Sequence, residues 1–232
     1  MTQRPLHDAV VERWGSEIAS GARRTGERVL TDDAVAEFGA SRSAIREAVR
    51  VLESLGMIEV RQRVGITVRP PEAWSPYDER VLRWRLDGPE RASVLQSLSE
   101  LRAGVEPVAA RLAASRATPE QCGELVAAAI GMAATARAAN SEAYLAHDSR
   151  FHSALLEASG NRMFANLATA VIAVLEGRTH HELMPATADP AAVRLHGEVA
   201  AAVQRGDGDA AEAGMRTIVA ESLEAMIAQR AE

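Results

Sequence analysis

Three arginines in the first third of the chain stand at intervals of four residues, at Arg42, Arg46 and Arg50. Residues four apart on a helix lie on one face, so these guanidinium groups would form a single stripe. Arginine can donate two hydrogen bonds to a guanine base and can also neutralise phosphate. Ser41 and Ser43 stand at the start of the same segment and could add short contacts to phosphates or bases. The spacing therefore predicts a helix with one arginine face, which could contact DNA.

Asp148 and His152 form a second group whose residue types could do chemistry. They are four residues apart within a predicted helix over 141–159, so both side chains would project from one face. A carboxylate oxygen and an imidazole nitrogen at this spacing suit a divalent metal such as zinc, nickel or manganese. The alternative is an ordinary polar helix face with an incidental histidine. His147 is adjacent to Asp148 and would face away from His152.

A helix-turn-helix is predicted around the three arginines. Thr31 is a candidate N-cap for a short helix ending near Phe38, and the two aspartates behind Thr31 suit the positive end of that helix. Gly39 breaks this helix, and Ser41 offers a second N-cap. Apolar residues then recur with the period of one buried helical face, at Ile45, Val49, Leu52 and Leu55. The arginines would lie on the opposite side of this second helix.

Two short segments rich in β-branched residues follow at 57–60 and 66–68, with Arg61, Arg63 and Gly65 between them. This pattern predicts a β-hairpin beside the helix pair, as in a winged helix-turn-helix. Taken alone, the arginines could be a solvated face that nearby glutamates balance in part. The combination of helix, glycine turn, capped arginine helix and basic hairpin in one segment favours DNA binding.

The segment over 41–58 resembles the GntR family of bacterial transcription regulators, in the run SRSAIREA followed by VRVL and LGMI. The resemblance implies contacts to operator DNA from the start of the second helix and its arginines, namely Arg42 and Arg46, with Ser41, Ser43 and Arg50 as further contacts. The chain departs from the family in two places. It has LTDD where a Pro-Ser-Glu-Arg opening is usual, and it lacks the usual wing-tip glycine near Arg63. No contact from Asp32 is therefore expected.

The second part of the chain resembles the FCD effector domain found in the fatty-acid-regulator (FadR) subfamily of GntR proteins. The matching segments are LRAGVEPVAARLAA at 101–114, DSRFH at 148–152, GN at 160–161 and LHGE at 195–198. By comparison with metal-binding members, the resemblance implies three metal ligands, Asp148, His152 and His196. The usual fourth position is Ile218 in this chain. Three protein ligands leave open positions for water or for an effector carboxylate or hydroxyl.

Arg102 matches an arginine in the first helix of the FCD domain, and the resemblance implies that it binds the carboxylate of an effector. A guanidinium can hold a carboxylate through two parallel hydrogen bonds. The alternative is a salt bridge to Glu106, four residues further on. His180 and His181 precede a predicted loop and could border the effector pocket, although solvated loop histidines are the simpler interpretation.

A proline-rich stretch at 69–76 predicts a linker, since proline continues neither a helix nor the interior of a sheet. A short helix is predicted over 78–86, and this aromatic linker and helix are similar to those of sugar-acid (galactonate-type) operon repressors within the family. We interpret the tryptophans of this region, Trp74 and Trp84, as packing residues.

From Glu90 onward the pattern is helical, with breaks that delimit about six helices and no strand-like alternation. The predicted fold class is therefore mainly α, with an N-terminal winged helix-turn-helix and a C-terminal all-α antiparallel bundle. The expected domains are a winged-helix DNA-binding domain at 1–70, the linker and its helix at 71–89, and a bundle at 90–232 that binds the effector and dimerises.

Charge is distributed unevenly along the 232 residues, whose net charge is −6. Residues 1–70 hold 11 arginines and 10 acidic residues, whereas residues 71–232 hold 15 arginines and 22 acidic residues. A protein that binds DNA through one small domain needs a local positive face more than a positive total. No apolar run approaches the roughly 20 residues that span a bilayer, and the start has no signal-peptide pattern. Cys122 is the only cysteine, so no internal disulfide can form, and a cytoplasmic location is expected.

Together these features predict a homodimeric transcription regulator, a repressor of a catabolic operon, rather than an enzyme. Its expected partners are a double-stranded DNA operator and a small organic acid, a sugar acid or hydroxy acid, with no membrane. A divalent metal (zinc, nickel or manganese) is the expected cofactor of the effector pocket. Two alternatives remain open: a regulator in which the metal itself is the signal, and a metal-dependent hydrolase or lyase.

Overall fold

The computed structural model describes residues 6–61, 64–138, 142–180 and 189–228. The chain divides into two compact units, Met1–Ala92 and Ser93–Glu232. The first unit contains a helix-turn-helix with a small antiparallel sheet, and the described part of the second unit is helical throughout. The predicted fold class is confirmed.

The first unit is built from four helices and three strands within its described residues. They are α1 (Leu6–Ala19), β1 (Arg28–Val29), α2 (Thr31–Phe38), α3 (Arg42–Ser54), β2 (Ile58–Arg61), β3 (Gly65–Val68) and α4 (Glu79–Asp87), with a 3-10 turn at Pro71–Ala73. The strands are ordered β1-β3-β2, and both pairings are antiparallel. The predicted wing is the β2–β3 hairpin. Arg63 lies outside the described residues.

The helix pair begins and ends close to where the sequence predicts. Gly39 adopts a left-handed conformation (φ 58°) after α2, and Ser41 caps α3 by accepting a hydrogen bond from the Ala44 amide at 3.2 Å. The prediction that Thr31 is an N-cap is wrong. Thr31 is already the first residue of α2, and the extended residue before it, Leu30, has no side-chain oxygen to cap with. One face of α3 is buried in the core of the unit, through Ile45, Ala48, Val49 and Leu52.

The linker helix α4 belongs to the first unit. The Trp84 ring packs so closely on α1 that a Cβ added to Gly15 would lie 2.3 Å from it. The Trp84 indole N–H donates to Glu12 Oε2 at 3.1 Å. Trp74 is also buried, and its indole N–H donates to the Arg69 carbonyl at 3.0 Å. Both tryptophans are therefore packing residues, as predicted.

The second unit is described as a series of helices. They are α5 (Arg91–Arg116, which starts within the first unit), α6 (Pro119–Thr135), α7 (Glu142–Ala158), α8 (Arg162–Ala165), α9 (Ala168–His180), α10 (Pro190–Arg205) and α11 (Gly208–Ala228). The predicted breaks agree with these boundaries, except that the short helix α8 is not predicted as a separate element. The core is rich in alanine, for example Ala110, Ala113, Ala128 and Ala202, so neighbouring helices can approach closely. No helix in the described ranges is long and apolar enough to cross a membrane.

Candidate functional site

The arginine face of α3, which we define as Arg42, Arg46 and Arg50, is exposed in the first unit. The Arg42 side chain is 69% exposed and that of Arg50 is 72% exposed. Ser41 and Ser43 are also exposed at the start of the helix. The fold thus brings together all five residues that the sequence predicts for DNA contact.

Each arginine of this face has a neighbour on the surface. Arg42 Nη2 lies 2.9 Å from Asp32 Oδ1, and Arg50 Nη1 lies 2.7 Å from Glu47 Oε1. Arg46 Nε donates to the Arg42 carbonyl at 3.4 Å. Exposed ion pairs contribute only about 0–1 kcal/mol, so DNA phosphates or bases could replace these acids at little cost.

A cavity of about 160 Å³ lies inside the second unit. It is lined by residues from five helices, α5, α7, α9, α10 and α11. Its polar lining includes Arg102, Tyr144, Asp148, His152, Arg178 and His196. The cavity is therefore built from residues distant in sequence, and it contains every candidate metal ligand together with Arg102.

The donor cluster, which we define as Asp148, His152 and His196, has its ligand atoms within 4.8 Å of one another. Asp148 Oδ1 lies 3.3 Å from His152 Nε2 and 3.5 Å from His196 Nε2. His196 Nδ1 donates to the Ala192 carbonyl at 2.7 Å, which leaves the lone pair of this neutral ring on Nε2. That nitrogen is buried and has no hydrogen-bond partner in the described part of the chain. A buried lone pair beside a carboxylate is the arrangement of a metal ligand.

Glu106 orients one member of the donor cluster, His152. Its Oε2 lies 2.6 Å from His152 Nδ1, and its Oε1 accepts from Arg102 Nε at 2.7 Å. An ionised carboxylate can only accept, so Glu106 fixes a proton on Nδ1 of His152 and turns Nε2 toward Asp148. The sequence singles out Glu106 only as a salt-bridge partner of Arg102. Its second contact depends on the packing of α5 against α7, which no local pattern reveals.

The salt bridge proposed as the alternative role of Arg102 is present in the structure. Arg102 is 2% exposed and Glu106 is fully buried. Arg102 Nη2 also lies 3.2 Å from His152 Nε2. Arg102 therefore lines the cavity while its guanidinium is held against Glu106 and His152.

Electrostatics favour charged carboxylates in this interior. Burial opposes the ionisation of Glu106, but Arg102 and His152 outweigh that effect and lower its pKa to about 2. Burial likewise opposes ionisation of Asp148, and the hydrogen bond from His152 still lowers its pKa. Burial lowers the pKa of His196 to about 4, whereas Glu106 raises the pKa of His152 against the effect of burial. His196 is accordingly neutral, as a histidine that binds a metal must be, and a metal at His152 would compete with a proton.

Ile218 is buried and lines the cavity where the family usually has a fourth metal ligand. Within the described ranges, the donors grouped closely enough to hold a metal are the three of the cluster. His147 packs against Gly131 of α6 instead of joining them. His180 is exposed and lies 3.4 Å from Glu142, and His181 is outside the described residues.

Several cavity residues are not identified from the sequence. Arg178 and Tyr144 are buried in the lining, and Ser222 on α11 lies within hydrogen-bond reach of Arg178. None of them belongs to a recognisable motif. Only the packing of α7, α9 and α11 brings them to one place.

Known protein families match the regions of the chain that contain these two sites. Residues 97–221, more than half of the chain, match the FCD domain, and residues 6–68 match the bacterial regulatory proteins of the gntR family. The chain belongs to the GntR family of transcriptional regulators. The resemblance predicted from the sequence is confirmed, and the enzyme alternative is set aside because the family and the relatives below are regulators.

The relatives are similar over nearly their full lengths. The galactonate operon transcriptional repressor of Escherichia coli (strain K12) is 30% identical over 217 residues, covering 93% of this chain and 94% of that protein. The regulator YieP from the same strain is 28% identical, with 90% of each chain covered. The solved structure of E. coli McbR/YncC covers 98% of this chain and 100% of its own, with a TM-score of 0.53 and 16% identity, and it supports the fold alone.

Regulators with the GntR helix-turn-helix bind DNA operators. The arginine face of α3 therefore lies in a domain of known general function. The donor cluster lies within the residues that match the FCD domain.

Proposed function

We propose that this regulator represses a catabolic operon and that a small carboxylate, a sugar acid or hydroxy acid, controls its binding to the operator. The effector would bind in the cavity of the second unit, at a divalent metal held by the donor cluster. The observation that carries the metal and effector site is the buried His196 Nε2, which has no hydrogen-bond partner among the described residues and lies 3.5 Å from Asp148 Oδ1 in the lining of the cavity.

The regulator would bind its operator through α3. Arg42 and Arg46 would contact guanine edges or phosphates, with Arg50, Ser41 and Ser43 as further contacts. Their support is shared exposure on one face and capping of the helix at Ser41. One such helix reads only a few base pairs, so we infer a homodimer that reads two half-sites.

Repression is inferred from a relative. The galactonate operon repressor is 30% identical and aligns with 93% of this chain. Its name also makes sugar acids the first effectors to test. A carboxylate is consistent with the cationic groups of the cavity lining, Arg102 and Arg178. The predicted role of Arg102 in binding that carboxylate stays a prediction, because the guanidinium is already paired with Glu106.

Zinc, nickel or manganese fits the donor set of one carboxylate and two imidazoles. When bound, such a metal would supply a Lewis acid with open positions for effector oxygen atoms. Asp148, His152 and His196 would hold it, and Glu106 would orient His152. Ile218 contributes no donor, so effector or water oxygens would complete the coordination.

Control of DNA binding would follow from thermodynamic linkage. An effector that binds the free regulator more tightly than the operator-bound regulator must weaken operator affinity by the same factor. Such coupling is typically about 1–3 kcal/mol, a change of roughly 5- to 150-fold in affinity.

Operator binding is tested by Arg46→Ala on a duplex that the wild type selects from a random pool. We expect specific affinity in a gel-shift assay to fall by a factor of about 10 to 100, since a bidentate base contact contributes about 1–3 kcal/mol. Arg194→Ala, at an exposed arginine of α10, is the matched control and should bind normally. Unchanged affinity in Arg46→Ala would remove α3 from the proposed interface.

The metal and effector are tested together. Wild type incubated with zinc, nickel or manganese and then desalted should retain metal by elemental analysis, and Asp148→Ala with His152→Ala should not. An acid should then weaken operator binding by the metal-loaded wild type. Metal retention by the double variant would contradict the assigned ligands. If metal alone, without acid, changed operator affinity, the metal-sensing alternative would replace the acid-responsive switch.

A further inference from the structure

Arg23 lies in the turn between α1 and β1 and contacts two helices of the first unit. Its Nε donates to Glu17 Oε2 of α1 at 2.7 Å, and its Nη2 donates to both carboxylate oxygens of Glu37, on α2, at 2.8 Å. The guanidinium also lies over the Trp14 ring of α1, 4.9 Å from its centroid. The Arg23 side chain is 15% exposed. One guanidinium thus joins α1 to α2 through charge-assisted hydrogen bonds and a cation–π contact.

The helix that this guanidinium reaches buries little apolar surface of its own. Among the described residues of α2, Ala34 is buried and two more apolar residues are partly buried. Arg13 of α1 adds a second ion pair to Glu37, at 3.2 Å. The ion pairs at Glu37 therefore have a large share in fixing the position of α2 against α1.

The groups around Arg23 stay charged although they are partly buried. Burial opposes the charge of Arg23, and the hydrogen bonds to Glu17 and Glu37 nevertheless raise the pKa of Arg23. Burial likewise opposes the ionisation of Glu17, and hydrogen bonds from Arg13 and Arg23 lower its pKa. These groups are therefore charged and paired throughout the neutral pH range.

Helix α2 leads directly into the arginine helix α3. Gly39 and Ala40 connect the end of α2 to Ser41, the cap of α3, and Asp32 at the start of α2 lies 2.9 Å from Arg42. In a helix-turn-helix, the first helix crosses the DNA backbone while the second enters the major groove. A shift of α2 would therefore move both the start of α3 and the acid beside Arg42.

We propose that Arg23 is a positioning residue for operator recognition. It fixes α2 against α1, and α2 in turn fixes the start of α3 and the guanidinium of Arg42. Arg23 acts through these helices and not by contacting DNA itself. This role rests on the operator-binding part of the proposed function, in which α3 contacts the operator.

The first unit offers a matched control, in which another arginine joins α1 to a different helix. Arg83 Nη2 of α4 donates to both carboxylate oxygens of Glu12, at 2.7 and 2.8 Å, as Arg23 Nη2 does to Glu37. The Glu12 and Glu37 side chains are 34% and 25% exposed. Glu12→Gln and Glu37→Gln therefore make the same change in charge and remove the same kind of ion pair, but Glu12 lies on α1 and faces α4.

The experiment measures the affinity of the full chain for an operator duplex that the wild type selects and for a random duplex of equal length. We expect the ratio of operator to random affinity to fall by about fivefold or more in Glu37→Gln, the lower end of what one bidentate base contact contributes. The ratio should stay within twofold of wild type in Glu12→Gln. Tryptophan fluorescence in urea measures the stability of the first unit in both variants. A purely structural ion pair would lower stability in both variants and leave both ratios unchanged.

Variants of Arg23 test the same contact from its other side. Arg23→Gln should lower the ratio as Glu37→Gln does, and the double variant should lower it no further, because both changes remove one interaction. Arg23→Lys keeps the charge but lacks the planar fork that reaches both acids, so its ratio should lie between those of wild type and Arg23→Gln. Arg24→Gln, at the exposed neighbouring arginine, is the charge control and should leave the ratio unchanged. If Arg23→Gln does not fold, Glu37→Gln and Arg23→Lys decide the question.

Failure of this inference is distinguishable from failure of the proposed function. Ratios within twofold of wild type in Glu37→Gln and Arg23→Lys, together with weak operator binding by Arg46→Ala, would overturn the role of Arg23 and leave α3 as the operator-binding helix. Unchanged operator binding by Arg46→Ala would instead overturn the role of α3 and, with it, the role of Arg23.

Discussion

The arginines of the two units carry the same charge in opposite surroundings. Arg42 and Arg50 are 69% and 72% exposed and pair with acids at the surface. Arg102 and Arg178 are 2% and 5% exposed and lie among helices. An exposed guanidinium can exchange partners freely, which suits a surface that must bind and release DNA. A buried one is held in place, which suits recognition of a small molecule.

The energetic consequences differ in the same way. An exposed pair contributes about 0–1 kcal/mol, and salt weakens it. Removing one partner of a buried pair leaves an uncompensated charge and destabilises by about 3–5 kcal/mol. Substituting an exposed arginine of the first unit should therefore change stability little, whereas substituting the buried Arg102 of the second unit should change it strongly.

The largest expected effect is on the stability of the second unit. Arg102→Met leaves Glu106 buried without its cation, and we expect a loss of about 3–5 kcal/mol in the free energy of unfolding. Arg42→Met, the exposed counterpart, should lose less than about 1 kcal/mol. The tryptophans at 14, 74 and 84 all lie in the first unit, so fluorescence reports that unit, whereas circular dichroism also follows the helices of the second.

In urea, Arg102→Met should shift the circular dichroism transition while the fluorescence transition stays in place. Equal losses in Arg102→Met and Arg42→Met would show that the buried pair is no more important than the exposed one. That result would remove the contrast between the units.

A smaller effect is expected from pH, through His196. Its pKa is lowered to about 4 from 6.5 because burial disfavours its charged form. The unfolded chain therefore binds a proton that the folded chain resists. The free energy of unfolding is therefore highest, as far as His196 is concerned, above about pH 6.5, and it decreases as pH falls from 6.5 toward 4.

The metal-free protein should accordingly lose stability between pH 6.5 and 4, and His196→Gln should lose less over that interval. His180→Gln, at an exposed histidine, is the control and should behave like wild type. Circular dichroism during urea titrations at several pH values measures these slopes. An unchanged slope in His196→Gln would mean that another group causes the acid sensitivity.

The smallest expected effect is at the DNA-binding surface. Asp32→Asn removes the acid that pairs with Arg42 at 2.9 Å, so Arg42 would be free to neutralise one more phosphate. We expect affinity for random duplex DNA to rise by a few fold, with a salt dependence steeper by up to about one charge. Fluorescence anisotropy at several salt concentrations measures both quantities.

Asp33→Asn is the matched control, since Asp33 is the exposed neighbour and its loss changes net charge equally. If both variants bound DNA alike, the effect would come from net charge and not from the Asp32–Arg42 pair.

What the sequence predicts well is local. The period of Ile45 to Leu55, the Ser41 cap and the Gly39 break are contained in neighbouring residues, and α3 follows from them. Strand β1 is not predicted, because two residues are too few to show alternation and it forms only by pairing with β3. The cap at Thr31 is wrong by one residue, within the ordinary uncertainty of helix ends.

The cavity shows the limit of this approach more clearly. Resemblance to the family nominates Asp148, His152 and His196, and the fold brings their ligand atoms within 4.8 Å. Arg178 and Ser222 are 44 residues apart and belong to no motif. They come together only because of how α9 and α11 pack in the bundle, and a local sequence pattern does not reveal that packing.

The contact between Trp84 and Gly15 has a practical consequence for dissecting the protein. An alanine at position 15 would place its methyl carbon 2.3 Å from the Trp84 ring, so α1 and α4 approach this closely only because residue 15 is glycine. A DNA-binding fragment cut at residue 70 would discard Trp74 and Trp84 and expose the apolar side of α1 to water. A fragment ending at residue 92 keeps both rings, and we expect this longer fragment to be more stable and less prone to aggregate than the fragment cut at residue 70.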